Sequence, residues 1–384
     1  MDAEAVARTV VEMLLGERFE EVVRRFSRPL RKAVPADALR SAWAAVAPTA
    51  VTGPAVTEPG QAGLTRVHLP VGGCTVVMSV DDRGVVHGLR FAPASDPLWT
   101  APSYADPRVF AEREITLGGT TGATVTSPVT AGGAGVVLLA GGGPFDRDES
   151  SGPSKPLKDL AWGLATRGVT VVRFDKTPAP TMTEEYLPPA LAALAVLRGE
   201  PGVERVFVAG HSMGGKVAPR VAEADPAVAG LVILAGDAQP MHHAAVRVAR
   251  HLGLDPATFE QQAALVDSDR LTPETPSAEL PFGLPASYWL DLRGYDPVAA
   301  TAGLPQPVFL GQGGRDYQVT VADDLSRWRT GLAGRPGVTI EVYERLDHLF
   351  LPGDGPSAPA DYTRPGHVDA AVVSDVAGWL ARVG

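Results

Sequence analysis

Apolar residues recur at helical spacing through the first 46 positions. Val6, Val10, Met13 and Leu14 form one stripe, and Phe19, Val22, Val23 and Phe26 form a second. This predicts helices over 3–46. Pro35 followed by "ADALRSAWAAV" reads as a helix start with proline in its first turn. A Pro/Gly-rich break near 53–63 ends the helical texture. Three short runs follow, "LTRVHLP", "CTVVMSV" and "VVHGLRF", which read as strands. Between the last two, Asp81-Asp82-Arg83-Gly84 is a hairpin signal. Helices followed by a strand meander predict a small α+β unit over 1–93, with a linker over 94–111.

From about 112 the pattern changes. "EREITLGG" and "GATVTSPV" read as an antiparallel pair. "GVVLLAGGG", "VTVVRFDK", "VERVFVAG", "VAGLVILAG", "QPVFLGQG" and "VTIEVYE" are apolar without alternation, as expected of strands buried on both faces. Helical segments at 155–166, 184–198, 214–224, 320–333 and 367–382 intervene. Strands alternating with helices predict an α/β fold over 112–384, a mostly parallel sheet flanked by helices. The stretch 238–300 has helical segments and Pro-rich turns but no strand. It reads as a helical cap inserted over the carboxyl edge of the sheet.

Composition narrows the function classes. The 384 residues, 45% of them hydrophobic, are enough for a large domain and a smaller one. A formal net charge of -10 argues against a nucleic-acid partner. Cys74 is the single cysteine, so neither an internal disulfide nor a cysteine-based metal site is expected. The first residues lack the basic and apolar regions of a signal peptide, and no apolar run is long enough to cross a bilayer. These features predict a cytoplasmic protein with a small-molecule substrate, no membrane partner, no cofactor and no metal.

The chemistry centres on Gly210-His211-Ser212-Met213-Gly214, at a predicted strand-to-helix junction. In open α/β sheets, sites form at the carboxyl ends of strands. A serine held there on a strained turn needs small residues two positions to either side, where strand and helix pack closely. Its hydroxyl needs a base, and the base an orienting acid. On this topology the order is serine, acid, histidine. Asp316 follows the strand in "VFLGQGGRDYQVT", and His348 follows the strand in "VTIEVYERLDHLF". Ser212, Asp316 and His348 are therefore the candidate catalytic residues. Asp347 is too close to His348 in the chain to reach its Nδ1. Asp237, after "VAGLVILAG", is the second-choice acid. His211 should point away from Ser212. His242, His243 and His251 lie in the cap as pocket-lining or solvated residues, and His367 reads as structural. Oxyanion donors are expected from the backbone of Met213 and of Gly142, with Gly143 the neighbouring option. Asp146, Arg147 and Asp148 read as ion-pair braces for that loop.

"GGGPFDRDES", "GHSMGG", "YWLDLRGYDP", "GGRDYQVT" and "LDHLF" together resemble the α/β-hydrolase superfamily. More narrowly, they resemble bacterial serine hydrolases with a small N-terminal domain of the DUF3887 type. The resemblance implies Ser212 as nucleophile, Asp316 as acid and His348 as base. In one departure, Ala140-Gly141 stands where the family often has His-Gly entering the oxyanion loop, which bears on how that loop is braced.

The expected reaction is hydrolysis of a small-molecule ester or thioester through an acyl-enzyme. The alternative is a non-hydrolytic tailoring enzyme on the same fold, performing cyclisation, acyl transfer or C–C bond formation. Tyr288, Trp289 and Tyr295 are candidates for the substrate pocket, against ordinary packing within the cap. The N-terminal unit could shield the pocket mouth, mediate a homodimer contact or stabilise the protein.

Overall fold

The computed structural model describes residues 2–46, 50–60, 63–93 and 99–383. Residues 94–98, the start of the expected linker, lie outside the described residues. The chain divides into two compact units, Met1–Leu98 and Trp99–Gly384.

The first unit contains α1 (Ala3–Leu15), α2 (Phe19–Arg24), α3 (Arg28–Ala33) and α4 (Ala36–Val46). An antiparallel meander follows: β1 (Val56–Pro59), β2 (Thr65–Val71), β3 (Cys74–Val80) and β4 (Val86–Pro93). Asp2 caps α1 by accepting from the Glu4 N–H. The stripe Val6, Val10, Leu14, Phe19 and Val22 is buried with Val67, Leu69, Val76 and Met78 of the sheet. Asp81 Oδ1 accepts from the N–H groups of Arg83 and Val85, and Gly84 takes φ 82, which closes the β3–β4 hairpin. The unexpected element is β1, inside the Pro/Gly-rich break. It is an edge strand, where the missing N–H of Pro59 is tolerable.

The second unit is built on β5 (Phe110–Leu117), β6 (Thr121–Pro128), β7 (Gly133–Leu139), β8 (Thr170–Phe174), β9 (Val203–His211), β10 (Leu231–Leu234), β11 (Val308–Gly313) and β12 (Val338–Tyr343). They form one sheet in the order β12-β11-β10-β9-β7-β8-β6-β5. β6 pairs antiparallel with β5 and β8, and the pairs from β8 to β12 are parallel. This is the α/β-hydrolase fold. On β7, Val136 and Leu138 face α5 (Pro156–Thr166) and α13 (Ala370–Arg382). Val137 and Leu139 face α6 (Met182–Gly199) and α7 (Met213–Ala224). Burial on both faces explains why these strands read as continuous apolar runs.

Between β10 and β11 lie α8 (Met241–His251), α9 (Ala257–Asp267), two short 3-10 turns, α10 (Ala286–Arg293) and α11 (Pro297–Gly303). The expected helix at 320–333 is a π-helical turn, Val321–Leu325, that runs into α12 (Ser326–Gly331). No helix among the described residues is long and apolar enough to cross a membrane.

Candidate active site

Ser212 sits between the end of β9 and the start of α7, with φ 53 and ψ −119. A non-glycine residue is rarely found there, and holding it costs on the order of 1–3 kcal/mol. Close packing enforces the turn. A Cβ on Gly210 would strike the Gly214 carbonyl, and one on Gly214 would strike the Leu139 carbonyl. The Ser212 N–H is fixed by the Leu234 carbonyl at 2.9 Å.

Asp316 and His348 follow β11 and β12 and meet behind the elbow. His348 Nδ1 lies 2.7 Å from Asp316 Oδ2. Asp316 is buried but well supplied with donors. Its Oδ1 accepts from the N–H groups of Gln318 and Val319, and its Oδ2 also accepts from Gln312 Nε2 at 3.2 Å. Gly313 and Gly314 have no room for side chains, because Asp347 and Glu344 backbone atoms press against them. That contact brings the acid loop and the histidine loop together.

The rival acids are engaged elsewhere. Asp347 Oδ1 accepts from the N–H groups of Leu349 and Leu351 and so shapes the turn after His348. Burial pushes its pKa upward. Asp237 pairs with the buried Lys216 at 2.9 Å.

Ser212, Met213, Gly142, Gly143 and His348 all line one cavity of about 640 Å³. A Cβ on Gly142 would lie 3.6 Å from that of Met213, so the two backbone segments run side by side next to Ser212. The rest of the wall is mostly apolar. α8 supplies Met241, Ala245 and Val248, and Leu252, Phe259 and Leu284 add to it. Phe282, at φ 58, also lines the cavity and is 58% exposed, so it stands at the rim.

Tyr288, Trp289 and Tyr295 are not among the residues that line this cavity. Tyr288 and Trp289 are buried in the main core cluster, and Tyr295 packs against it. The Tyr288 hydroxyl donates to Glu185 at 2.6 Å, and Arg220 lies 4.0 Å over the Tyr295 ring. The cap turns these rings into its own interior, where their large apolar area is worth most. None of the three cap histidines lines the cavity, and His243 and His251 are exposed, as the solvated alternative expected. His242 is buried rather than solvated, and His251 stacks on Tyr317.

The loop that begins at Gly141 is braced by residues that were given no such role in the sequence analysis. Glu149 is buried, at φ 54, and its Oε1 accepts from the Gly141 N–H at 2.6 Å. The same oxygen is 2.9 Å from His211 Nδ1, and His211 Nε2 is 2.7 Å from the His348 carbonyl. Both partners of His211 are acceptors, so the surroundings favour the doubly protonated ring. Burial works against that charge, but Glu149, with help from the His348 carbonyl and Asp316, raises the His211 pKa. From the other side, Lys176 Nζ and the Tyr186 hydroxyl donate to the Gly141 carbonyl at 2.8 and 2.9 Å. These groups hold the Ala140-Gly141 segment in place. The ion pairs expected around it are present: Arg147 with Asp175 at 2.7 Å, and Asp148 with Arg173 at 2.8 Å. A charged residue at the end of an apolar strand, such as Lys176 after "VVRFD", was the available signal.

Esterase EstD of Thermotoga maritima is 36% identical over 323 residues, which span 81% of this chain and 77% of that protein. Among solved structures, the Pyrococcus furiosus esterase Pf2001 aligns with a TM-score of 0.47 at 16% identity, covering 75% of this chain and 97% of that one. Est1E from Butyrivibrio proteoclasticus aligns at 0.48 and 16%, covering 71% and 99%. No family model matches the chain. The chain belongs to the esterases of the α/β-hydrolase family. It is a carboxylic-ester hydrolase, and the non-hydrolytic alternative is left without support.

Proposed function

We propose that the esterase acts through Ser212 as nucleophile, His348 as general base and Asp316 as the acid that orients it. The observation that carries this reading is the 2.7 Å contact between His348 and Asp316 at the wall of the cavity that Ser212 lines. With Nδ1–H donating to Asp316, Nε2 is left as the acceptor that a serine hydroxyl needs. Ser212 Oγ attacks the ester carbonyl, and His348 Nε2 takes its proton. The N–H groups of Met213 and Gly142 receive the developing oxyanion, with Gly143 adjoining. Met213 heads α7, so the helix dipole favours negative charge there. His348 returns the proton to the departing alkoxide or thiolate, and water then releases the acid from the acyl-enzyme.

The substrate is a small ester or thioester with an apolar group. It lies along the α8 wall, in a cavity of ligand size. The N-terminal unit is read as a DUF3887-type domain, supported by its four helices and antiparallel meander.

The test is turnover of a short-chain aryl ester. Ser212→Ala and His348→Ala lower kcat by at least about 10⁴-fold, and Asp316→Asn by about 10³–10⁴-fold, while the proteins stay folded by circular dichroism. Near-normal turnover in folded Ser212→Ala refutes the assignment.

A further inference from the structure

Away from the cavity, two cap helices bring three donor side chains to one point. His242 and His243 lie in the first turn of α8, and Asp267 is the last residue of α9. His242 Nε2 is 2.8 Å from Asp267 Oδ1, and His243 Nε2 is 3.0 Å from Asp267 Oδ2. The two rings sit with centroids 4.4 Å apart, each turned toward one oxygen of the same carboxylate. One donor atom from each residue lies within 4.8 Å of the other two.

We infer that His242, His243 and Asp267 form a site for a divalent transition ion of the zinc class that clamps α8 to α9. Two imidazole nitrogens and a carboxylate oxygen are a donor set that suits such ions. Ligand distances of about 2.0–2.2 Å put donors roughly 3.3–3.5 Å apart around a tetrahedral ion. The two imidazole–carboxylate contacts open by about half an ångström to reach that spacing, and the two ring nitrogens start within 4.8 Å of each other. His243 and Asp267 are each 48% exposed at the side chain, so an ion has access and water can complete the shell. His242 is buried at the inner side, with its ring edge-on to Trp289 at 5.8 Å, which fixes one ligand in place.

Nearby cations are already engaged. Arg247 pairs with Asp323 and Asp324, Arg250 with Glu260, and Lys216 with Asp237. α8 also supplies much of the cavity wall, so an ion here stiffens that wall without touching the reacting atoms.

The test is calorimetric titration of chelator-treated full-length protein with Zn²⁺ and Ni²⁺, together with thermal unfolding. One saturable site per chain and a raised Tm are expected. His243→Ala and Asp267→Asn, both at half-exposed positions that should fold, are each expected to weaken binding at least tenfold and remove the Tm increase. Saturable binding that survives both substitutions overturns the site, because the ion is then held elsewhere. Absence of saturable binding by folded wild-type protein also overturns it. Neither readout depends on Ser212 chemistry.

Discussion

Gly214 has no space for a methyl group, since a Cβ would meet the carbonyl oxygens of Leu139 and Ala140. Gly214→Ala is therefore expected to cost at least about 2–3 kcal/mol and abolish turnover, measured by urea unfolding and ester assay. Gly199, the last residue of α6, has nothing within 4 Å of a built Cβ. Gly199→Ala is expected to be neutral or to stabilise by up to about 1 kcal/mol.

Glu149 gives a pH-dependent case. The His211 pKa is raised above its usual 6.5, because Glu149, with help from the His348 carbonyl and Asp316, outweighs burial. A raised histidine contributes stability that is full below about 6.5 and lost as pH rises through its folded value. Glu149→Gln should therefore lower Tm most on the acid side of 6.5, with the gap closing at alkaline pH. The same change should reduce kcat about tenfold at unchanged KM, less than the 10²–10³ expected for losing an oxyanion donor outright. A pH-independent Tm difference would contradict this account of Glu149.

At the scale of elements, α8 decides what fits beside Ser212. Val248 lies on its cavity face and is only half-buried, so a larger side chain there occupies free volume. Val248→Phe is expected to raise KM for long acyl esters by about tenfold or more and leave short ones within about threefold. Equal effects across a chain-length series would place the acyl group elsewhere.

Elements are also where the sequence was most and least readable. β3 and β7 to β12 were visible as Val/Ile/Leu runs, and the elbow as small residues around Ser212. That Asp316 and His348 come together, at 2.7 Å, was legible because each follows a predicted strand of the parallel sheet. β1 was hidden because an edge strand tolerates the Pro and Gly that punctuate it. The cap gave no clue to facing. Its α10 aromatics, Tyr288 and Trp289, point inward, while the aliphatic side of α8 meets the cavity. Glu149 escaped notice because His211 is distant in sequence and meets it only after the sheet forms, and because nothing in the loop sequence shows the chain doubling back to Gly141.

At the scale of the second unit, ion pairs fasten β5 and β8 to the 146–148 loop: Arg147 with Glu114 and Asp175, and Arg173 with Glu112 and Asp148. Burial alone would raise the Asp148 pKa, but Arg173, Lys155 and Lys158 outweigh it and hold the carboxyl at about 2. A depressed carboxylate contributes stability that is present above about 4 and lost as pH falls toward the folded value. Acid unfolding of the wild type should therefore be steep between about pH 4 and 2. In Asp148→Asn the protein should be weaker at neutral pH by about 1.5–3 kcal/mol, because Arg173 loses one of its two carboxylates and keeps Glu112, and the acid slope should be shallower.

The most direct measurement is to label the intact protein with a fluorophosphonate and locate the adduct by peptide mass spectrometry. The account predicts one adduct per chain, on Ser212, lost in Asp316→Asn and His348→Ala at equal exposure. An adduct on any other residue, or undiminished labelling when His348 is gone, would contradict it.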